Sequence, residues 1–300
     1  MGFLDKLFGK ASAKASAKAS AKLAAKAASS SQGKSWAKVE PTPEETAMIE
    51  RLIELMRSHA RDCISYDITD DAAGLFDSKV GGPLYVPKGE DIPEIDGIKL
   101  SLLAQINLEQ QPAIEGFPSK GLLQFFVADD GYIGRPDNRA AVRYIADVPA
   151  TEEVRIVDEP PTDFPFDGTK CFALKARKAK CIPAIDTNEY NQILQDSVPE
   201  LLCDKAYGIG FSNFYLDEFF YETLTTLPDV EIGGTLMGGY PEFTQWDPRN
   251  PGEYDTLLFQ LGSDLDHVCW GDCGIGNFFI SKENLQKLDF SDILYNWDCH

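Results

Sequence analysis

The amino-acid sequence predicts an α+β fold, with a strand-rich core that is built from two related halves and flanked by helices. Short apolar runs of strand length recur along most of the chain, and Gly, Pro and Asp separate them. A smaller number of longer segments carry apolar residues at helical spacing. Three short strings also occur twice in the same order, which indicates an internal duplication.

The first 40 residues are predicted to form a disordered basic tail outside this fold. Residues 1–38 hold eight Lys and one Asp, and five of the lysines recur at every fourth position: Lys10, Lys14, Lys18, Lys22 and Lys26. The alanines between them favour a helix, but the repeat offers no apolar face that could dock such a helix. We interpret the tail as a solvated leader, with weak contact to anionic surfaces or organelle targeting as the alternatives.

The rest of the chain is strongly acidic, since residues 39–300 hold 20 basic against 47 acidic side chains. This balance disfavours binding of the body to nucleic acid or to anionic lipid. The N-terminus lacks the apolar run of a signal peptide, and no stretch approaches the roughly 18 apolar residues that span a bilayer. Together with an odd number of cysteines, seven, these features predict a cytoplasmic protein with free thiols.

The folded domain is predicted to begin with a helix at residues 41–60. Thr42 is a suitable N-cap, Pro43 suits the first helical position, and Glu45 completes a capping box. A broad apolar stripe follows, formed by Met48, Ile49, Leu52, Ile53, Leu55 and Met56. His59 falls in the last turn, where we expect a cap or surface role.

Seven further segments are predicted strands and three are predicted helices. The strands are residues 64–68, 100–108, 121–128, 141–148, 170–177, 255–262 and 276–280. The helices are residues 186–205, 213–227 and the shorter 282–288. Strands and helices do not alternate regularly, so a parallel βαβ arrangement is not expected.

The repeated strings have nearly constant spacing. "GGPLYVP" from residue 81 matches "GGYPEFTQ" from 238, "LLAQIN" from 102 matches "LLFQLG" from 257, and "GLLQFFV" from 121 matches "GIGNFFI" from 274. The offsets are 238−81=157, 257−102=155 and 274−121=153. We therefore predict a single domain over residues 41–300, made of two pseudo-repeats at about 41–150 and 185–300 around a pseudo-twofold axis.

Four amides occupy equivalent positions in the repeated strings, in strands that are otherwise apolar. Gln105 matches Gln260, and Gln124 matches Asn277. A buried amide without partners costs about 1–3 kcal/mol, so each must bond either to the backbone of a turn or bulge, or to a ligand. The first interpretation is architectural, and the second predicts a ligand site at the junction of the two halves.

These strings, with "GGYPEFTQWDPR", "WGDCGIGNFFI" and "DFSDILYNWDCH", resemble the YwqG-like family, a bacterial family of unknown function. The likeness covers roughly residues 43–300 and leaves out the tail. The resemblance implies a single α+β body in a cytosolic bacterial protein, with no established reaction or cofactor. It also implies a neighbourhood of toxin–immunity genes, which is an association and not a mechanism. Gly262 stands where the family pattern has Asp, which puts a ligand role of that position in doubt.

A cluster of metal-ligand residue types near position 270 forms a second candidate site. It consists of His267, Cys269, Asp272 and Cys273, with Cys299 and His300 at the end of the chain. The Cys-x-x-x-Cys spacing is admissible for zinc, but no second cysteine pair accompanies it. Spectator thiols in a turn and a redox pair are the other interpretations. Asp264 and Asp266 similarly suggest either a turn or a calcium loop, although the EF-hand spacing is absent.

Two tryptophans near acidic residues form the last candidate. Trp270 precedes Asp272, and Trp297 precedes Asp298. A buried indole N–H needs an acceptor, so these aspartates can serve two structural corners. The alternative is an aromatic-walled pocket with an acidic rim, which would suit a cationic ligand.

Together these observations favour a non-enzymatic protein that binds a basic protein partner, in the manner of an immunity protein, or a small cationic ligand between the two halves. The sequence lacks G-x-S-x-G, Walker and H-E-x-x-H motifs, and we expect no cofactor. The alternative function is a metal-dependent enzyme that uses His267, Cys269, Asp272 and Cys273. The candidate ligand-binding residues are Gln105, Gln124, Gln260, Asp264, Trp270, Asp272 and Asn277.

Overall fold

The structure is a computed structural model that describes residues 41–148, 155–185, 187–201 and 214–300. The predicted disordered tail, residues 1–40, lies outside the described residues. So do Asp186 and residues 202–213, which take in parts of two predicted helices.

The described residues form four α-helices: α1 (Pro43–Ser58), α2 (Asn188–Ser197), α3 (Phe214–Thr225) and α4 (Lys282–Lys287). The predicted capping box of α1 is confirmed, because the Thr42 hydroxyl accepts from the Glu45 N–H and the Glu45 carboxylate accepts from the Thr42 N–H. His59 is the C-cap of this helix, as predicted. Each of the other three helices falls within a predicted helical segment. Within the described ranges, none of the helices combines the length and the apolar character that crossing a membrane requires.

Thirteen strands occur in the described residues. They are β1 (Arg61–Thr69), β2 (Lys79–Gly81), β3 (Leu84–Val86), β4 (Glu94–Ile95), β5 (Ile98–Asn107), β6 (Leu122–Ala128), β7 (Ala140–Ile145), β8 (Arg155–Val157), β9 (Cys171–Cys181), β10 (Leu236–Gly238), β11 (Thr256–Gly262), β12 (Ile275–Ile280) and β13 (Leu294–Asp298). The seven predicted strands are confirmed as β1, β5, β6, β7, β9, β11 and β12. Of the six that were missed, five contain only two or three residues, too few for a periodic pattern.

Eleven strands form one antiparallel sheet in the order β13-β12-β11-β10-β1-β9-β2-β5-β6-β7, with β4 paired to the start of β5. β3 and β8 pair with each other in a separate two-stranded ribbon. Side chains and backbone groups near β7 bond to β13, so the large sheet is nearly closed and barrel-like. The predicted strand-rich α+β class is therefore confirmed.

The sheet has the same pattern of pairing on both sides of the central pair β1–β9. β2-β5-β6-β7 form the first four-strand run, and β10-β11-β12-β13 form the second. Lys79 pairs with Gln105 in the first run, and Leu236 pairs with Gln260 in the second. The offsets between these positions, 236−79=157 and 260−105=155, equal those of the repeated strings.

Finer irregularities correspond as well. A bulge interrupts β5 between Leu102 and Ala104, and another interrupts β11 between Leu257 and Phe259. The neighbouring strands in the sheet, β2 and β10, each end at a glycine that a second glycine follows, and all four glycines have positive φ: residues 81–82 and 238–239. The repeated strings therefore occupy corresponding places in the two runs.

The main core fills the inside of the sheet and joins the two runs. The ring of Phe125 on β6 lies 4.7 Å from that of Phe259 on β11 and 5.1 Å from that of Phe278 on β12, measured between centroids. All three side chains are fully buried. Burial of one such ring stabilises the fold by about 1.5–3 kcal/mol, so this aromatic contact is a substantial part of what holds the runs together.

The outer faces of the two runs are covered differently. Helices α1, α2 and α3 share one buried cluster, and the Tyr240 hydroxyl beyond β10 bonds to the His59 carbonyl at 2.7 Å. The first run is instead covered by the β3–β8 ribbon, where Leu84 and Val86 pack on Phe126. The cover over the first run leaves an opening beside the ribbon, and Leu84, Leu100 and Leu102 are among the residues that line it.

Candidate functional site

The predicted amides of the first run lie on the outer face of the sheet and are fully buried. Gln105 Nε2 donates to the main-chain oxygens of Leu75 and Asp77, both at 3.0 Å. Gln124 Nε2 donates to the Tyr85 oxygen at 2.9 Å and to Gln105 Oε1 at 3.0 Å. The two side chains therefore hold the loop before β2 and the strand β3 against the sheet.

The amides of the second run have corresponding contacts. Gln260 Nε2 donates to the Gly234 oxygen at 2.9 Å, and its Oε1 accepts from the Glu242 N–H at 2.8 Å. Asn277 Nδ2 donates to the Glu242 oxygen at 3.0 Å. These contacts are those of the architectural interpretation. A ligand-binding role of the four amides stays a prediction.

Asp264 and His267 form a self-contained turn between β11 and β12. One Asp264 oxygen accepts from the backbone N–H groups of Asp266, His267 and Val268 at 2.8–3.2 Å. The other lies 2.6 Å from His267 Nδ1, and His267 Nε2 lies 3.7 Å from a carboxylate oxygen of Asp70. Partial burial alone would lower the pKa of His267, but its bond to Asp264 and the charges of Asp264 and Asp70 outweigh it and raise that pKa. The turn interpretation, rather than a calcium loop, describes this segment.

The tryptophan corners differ from the prediction in their acceptors. The Trp297 indole N–H donates to the Tyr132 carbonyl at 2.7 Å, and that of Trp270 is buried with no partner among the described residues. Asp298 instead accepts from the Thr244 backbone and hydroxyl at 3.0 and 2.8 Å. The proposal that Asp272 or Asp298 accepts from an indole was therefore wrong. Trp270 is fully buried, which places it in the core.

The metal-dependent alternative is also corrected. Among residues 41–148, 155–185, 187–201 and 214–300, no group of three or more His, Cys, Asp or Glu side chains is arranged to hold a metal ion. His267 is turned to the two aspartates, and the Cys269 thiol lies 3.6 Å from the Gly271 carbonyl. Asp272 is exposed at the tip of the turn that follows. The cluster therefore brings the right residue types together in sequence but not around one point in space.

The opening over the first run is a groove that the sequence did not reveal. Its main hollow has a volume of about 380 Å³ and is lined by residues 82–84, 99–102 and 157–161, with Ile92, Gly168, Thr169 and Cys171. A second hollow of about 200 Å³ adjoins it and shares Ile92 and Lys99, with Asp91 and Glu94 completing its lining. We call the two hollows together the acidic groove.

The name reflects the charged groups around the groove. Asp91, Glu94, Asp158 and Glu159 are all exposed, and Lys99 is the basic residue of the lining. Glu94, Asp158 and Glu159 take part in no ion pair within the part of the chain that the structure describes. The groove thus carries a formal charge of −3 (four carboxylates against one ammonium) above an apolar base that includes Leu84, Leu100 and Leu102.

A buried lysine lies beneath the main hollow. Lys79 is 1% exposed, and its ammonium donates to the carbonyls of Pro83 at 2.5 Å, Leu75 at 3.2 Å and Gly74 at 3.4 Å. Burial lowers the pKa of Lys79, against the opposing charges of Cys171, Asp77 and Asp158. Its donors are directed at backbone carbonyls, so Lys79 supports the base of the groove and leaves the rim carboxylates to other partners.

Close backbone approach shapes the walls. A Cβ at Gly82, which has φ +74°, would lie 2.5 Å from the Cys171 sulfur, and a Cβ at Gly168 would lie 2.0 Å from the Pro161 carbonyl oxygen. Only glycine allows these segments to meet. On the other side, Arg143 pairs with Glu90 at 3.1 Å and donates to the Asp91 carbonyl, which holds the segment that carries Asp91.

The signal for the groove in the sequence was weak. Asp158, Glu159, Pro160 and Pro161 are contiguous, but an acidic Pro-rich run is typical of any loop. Glu94 and Lys99 lie more than 50 residues away and join them only through the pairing of β3 with β8 and of β4 with β5. Short strands of this kind have no pattern that the sequence could display.

Comparison with protein families identifies the family to which the domain is similar. Residues 78–299 match the model of a family that is described as a domain of unknown function, DUF1963. A search of curated proteins finds no match to the chain. The matched region contains both four-strand runs and the whole of the acidic groove.

Proposed function

Since this chain belongs to the DUF1963 family, a family of unknown function, we propose from its geometry that it is a non-enzymatic binding protein. Its acidic groove receives a basic segment of a partner protein, as an immunity-like protein would. The YwqG-like assignment, a bacterial origin and a cytoplasmic location are part of the same proposal. So is the descent of the two four-strand runs from one duplicated segment.

The observation that carries this proposal is the combination of exposed carboxylates with an apolar base in one concave site. A lysine or arginine side chain can lay its aliphatic stem on the half-buried side chains of Ile92, Val157 or Pro161 and keep its charged head at the rim. Asp158 and Glu159 are exposed and have no ion-pair partner in the described ranges, so they can accept such a head. A concave site lined by one sign of charge also concentrates oppositely charged partners.

The shape of the groove favours a chain segment over a small cation. The two hollows adjoin through Ile92 and Lys99, so that the charged rim runs from Glu94 to Asp158 and Glu159 instead of surrounding one point. A segment with several basic side chains can contact both hollows at once. The acidic body, with 20 basic against 47 acidic side chains in residues 39–300, supports the same choice.

The expected interaction depends on salt. Exposed ion pairs contribute about 0.2–1 kcal/mol each and are screened over about 8–10 Å at physiological ionic strength. Several such pairs therefore give moderate affinity with fast, charge-steered association. Specificity would come from the apolar base, since salt affects that contact much less.

The test is a titration of the full chain with a fluorescent oligolysine peptide, followed by anisotropy at low and at physiological salt. The groove variant carries Asp158→Asn, Glu159→Gln and Glu94→Gln. Its matched control carries Glu109→Gln, Glu115→Gln and Asp147→Asn, three exposed carboxylates that do not line the groove. Both variants lose three negative charges, so their long-range effects on the peptide are alike.

We expect the groove variant to raise the dissociation constant about tenfold and the control variant to raise it less than about twofold, given the energies of exposed pairs. Equal weakening by the two variants would mean that the peptide senses only the overall charge, and the proposal would then be wrong. Absence of peptide binding both by the parent chain and by a chain with Lys→Gln at positions 10, 14, 18, 22 and 26 would also reject it. Urea unfolding of each variant checks that the fold is kept.

A further inference from the structure

We infer that the acidic groove is occupied by the chain's own lysine repeat, residues 10–26, which competes there with an external basic segment. This inference rests on the proposed function of the groove, and it names an occupant that the chain itself carries. The repeat lies outside the described residues, so the argument depends on its sequence and on the geometry of the groove.

The charges of the two parts are complementary. Residues 6–38 contain eight lysines and no acidic residue, whereas the body, residues 39–300, has 27 more acidic than basic side chains (47−20=27). Within the body, the rim of the groove brings Glu94, Asp158 and Glu159 together without an ion-pair partner among the described residues. Many other acids of the body already have one, such as Asp62 with Lys178 and Lys180. The carboxylates of the groove can therefore pair with the lysines of the repeat.

The chemistry of the repeat also fits the lining. Every fourth residue is a lysine, and the residues between are mostly alanine and serine, which are small enough to enter a narrow hollow. The lysine stems can cover the half-buried apolar side chains of Ile92, Val157 and Pro161. The main hollow, at about 380 Å³, is too small for all five lysines at once. Successive lysines can thus exchange in the same place, which raises the occupancy of the groove by the tail.

The tail is long enough to reach the groove of its own chain. From Lys26 to Pro41, where the described residues begin, there are 15 residues. At about 3.3–3.6 Å per residue these span up to about 50 Å, and the 31 residues from Lys10 to Pro41 (41−10=31) span up to about 100 Å. A body of this size has a radius of gyration of about 18 Å. An intramolecular segment with this reach acts at an effective concentration of about millimolar, so weak contacts suffice for occupancy.

The first test is zero-length cross-linking of the full chain with a carbodiimide, which joins a lysine amine to a carboxylate as an amide with loss of water. Peptide mapping by mass spectrometry then shows which carboxylates have reacted with Lys10 to Lys26. We expect links to Asp158, Glu159 and Glu94 in the monomeric fraction at low protein concentration. Links that concentrate on Glu109 and Glu115, or that spread evenly over the exposed acids, would overturn the inference. Links found only in dimers would assign the groove to the tail of a second copy and overturn occupancy by the chain's own tail.

The second test repeats the oligolysine titration in a chain with Lys→Gln at the five repeat positions, with Lys→Arg at the same positions as the matched control. Removal of the competitor is expected to lower the dissociation constant of the peptide about threefold to tenfold, whereas the arginine chain behaves as the parent. The groove variant should abolish this difference, because neither tail can then occupy the site. Equal affinity of the parent and glutamine chains would overturn the inference.

Failure of the two proposals can be told apart. If the groove substitutions weaken peptide binding in both tail backgrounds but the tail substitutions change nothing, the binding function stands and only the occupancy by the tail is wrong. If the groove substitutions change nothing in either background, the proposed function itself is wrong.

Discussion

The protonation of Glu242 depends on its place in the fold. Its carboxyl packs against Gly233, where an added Cβ would lie 1.6 Å from Oε2, and it bonds to the Tyr221 side chain of α3. Burial and the negative charge of Asp298 raise the pKa of Glu242 to about 7, and the bond to Tyr221 opposes this only in part. The group therefore titrates near neutral pH at the contact between α3 and the second run.

This gives a prediction for stability against pH. The folded-state pKa lies above the ordinary value of 4.5, so the folded state holds its proton longer than the unfolded chain does. The free energy of unfolding therefore falls as pH rises from about 4.5 to about 7. In Glu242→Gln this contribution is absent. We expect the variant's stability relative to the parent to rise by about 2 kcal/mol between pH 5 and pH 8, measured by urea unfolding.

His267 provides the internal control for this experiment. Its raised pKa stabilises the fold below about pH 6.5 and loses that effect as pH rises through the folded-state pKa, but it does so equally in the parent and in Glu242→Gln. The difference between the two chains is thus free of its contribution. Parallel profiles for the two chains would show that the Glu242 carboxyl is not desolvated.

The buried amides show how far residue-scale reasoning reaches. The sequence predicted that Gln105, Gln124, Gln260 and Asn277 would sit at equivalent places in apolar strands, and the pairing confirms these positions. Their partners are backbone carbonyls some 20 to 40 residues away, such as that of Tyr85 for Gln124. A side chain's polarity shows that it needs a partner, but only the path of the loop decides which atom supplies it.

At the scale of elements, a buried ion-pair network centred on Arg249 adds to the attachment of α2. Arg249 is 2% exposed at its side chain and bonds both oxygens of Glu189, in the first turn of α2, at 3.1 and 2.8 Å. It also bonds both oxygens of Asp247, at 2.9 and 2.6 Å, and stacks 4.7 Å above the ring of Phe279 on β12. The guanidinium therefore joins the start of the helix to the outer face of the second run.

We predict that Arg249→Met destabilises the fold by about 3–5 kcal/mol, because it leaves the buried Asp247 carboxylate without its counter-charge. Thermal or urea unfolding measures the loss. Arg51→Met is the control: its pair with Glu200 is more than half exposed on both sides, and its loss should cost no more than about 1 kcal/mol. Similar losses for the two variants would contradict the role of the buried pair.

The elements themselves were predictable where their pattern was long enough. The capping box at Thr42 and the apolar stripe of α1 are local features, and all seven predicted strands contain at least six residues in the structure. Strands β2, β3, β8 and β10 contain three each, and their existence depends on a neighbour that completes the pairing. The acidic groove is built on just such short strands, which is why the sequence did not indicate it.

At the scale of the whole molecule, Asn138 closes the sheet. Its Nδ2 donates to the Ile293 carbonyl at 2.9 Å, and its Oδ1 accepts from the Tyr295 N–H at 2.7 Å. The side-chain amide therefore pairs with the edge of β13 as a strand residue would. The Tyr295 hydroxyl adds a bond to the Ile133 carbonyl at 2.8 Å. The edges of the first and second runs meet at this point.

We predict that Asn138→Ala costs about 1–3 kcal/mol and speeds hydrogen exchange at the Tyr295 amide, because β13 loses its partner on that side. Asn138→Asp keeps the acceptor for the Tyr295 N–H but not the donor to the Ile293 carbonyl, so its exchange rate at Tyr295 should lie between those of the parent and of Asn138→Ala. The exposed Asp137→Asn, which suits the positive φ of +61° at this position, is the control and should leave the exchange rate unchanged. Unaltered exchange at Tyr295 in Asn138→Ala would mean that the sheet is closed by other contacts.

The sequence by itself determined the strand-rich α+β class, the first helix with its cap, the longer strands and the equivalence of the repeated strings, because each is a property of neighbouring residues or of regular spacing. The tertiary structure decided the rest. It showed that Asp264 and His267 serve a turn, that the metal-ligand types do not converge, and that Trp297 bonds to Tyr132. It also brought Glu94 to the same groove as Asp158 and Glu159, because side chains far apart in sequence meet only where strand pairing and loop paths place them.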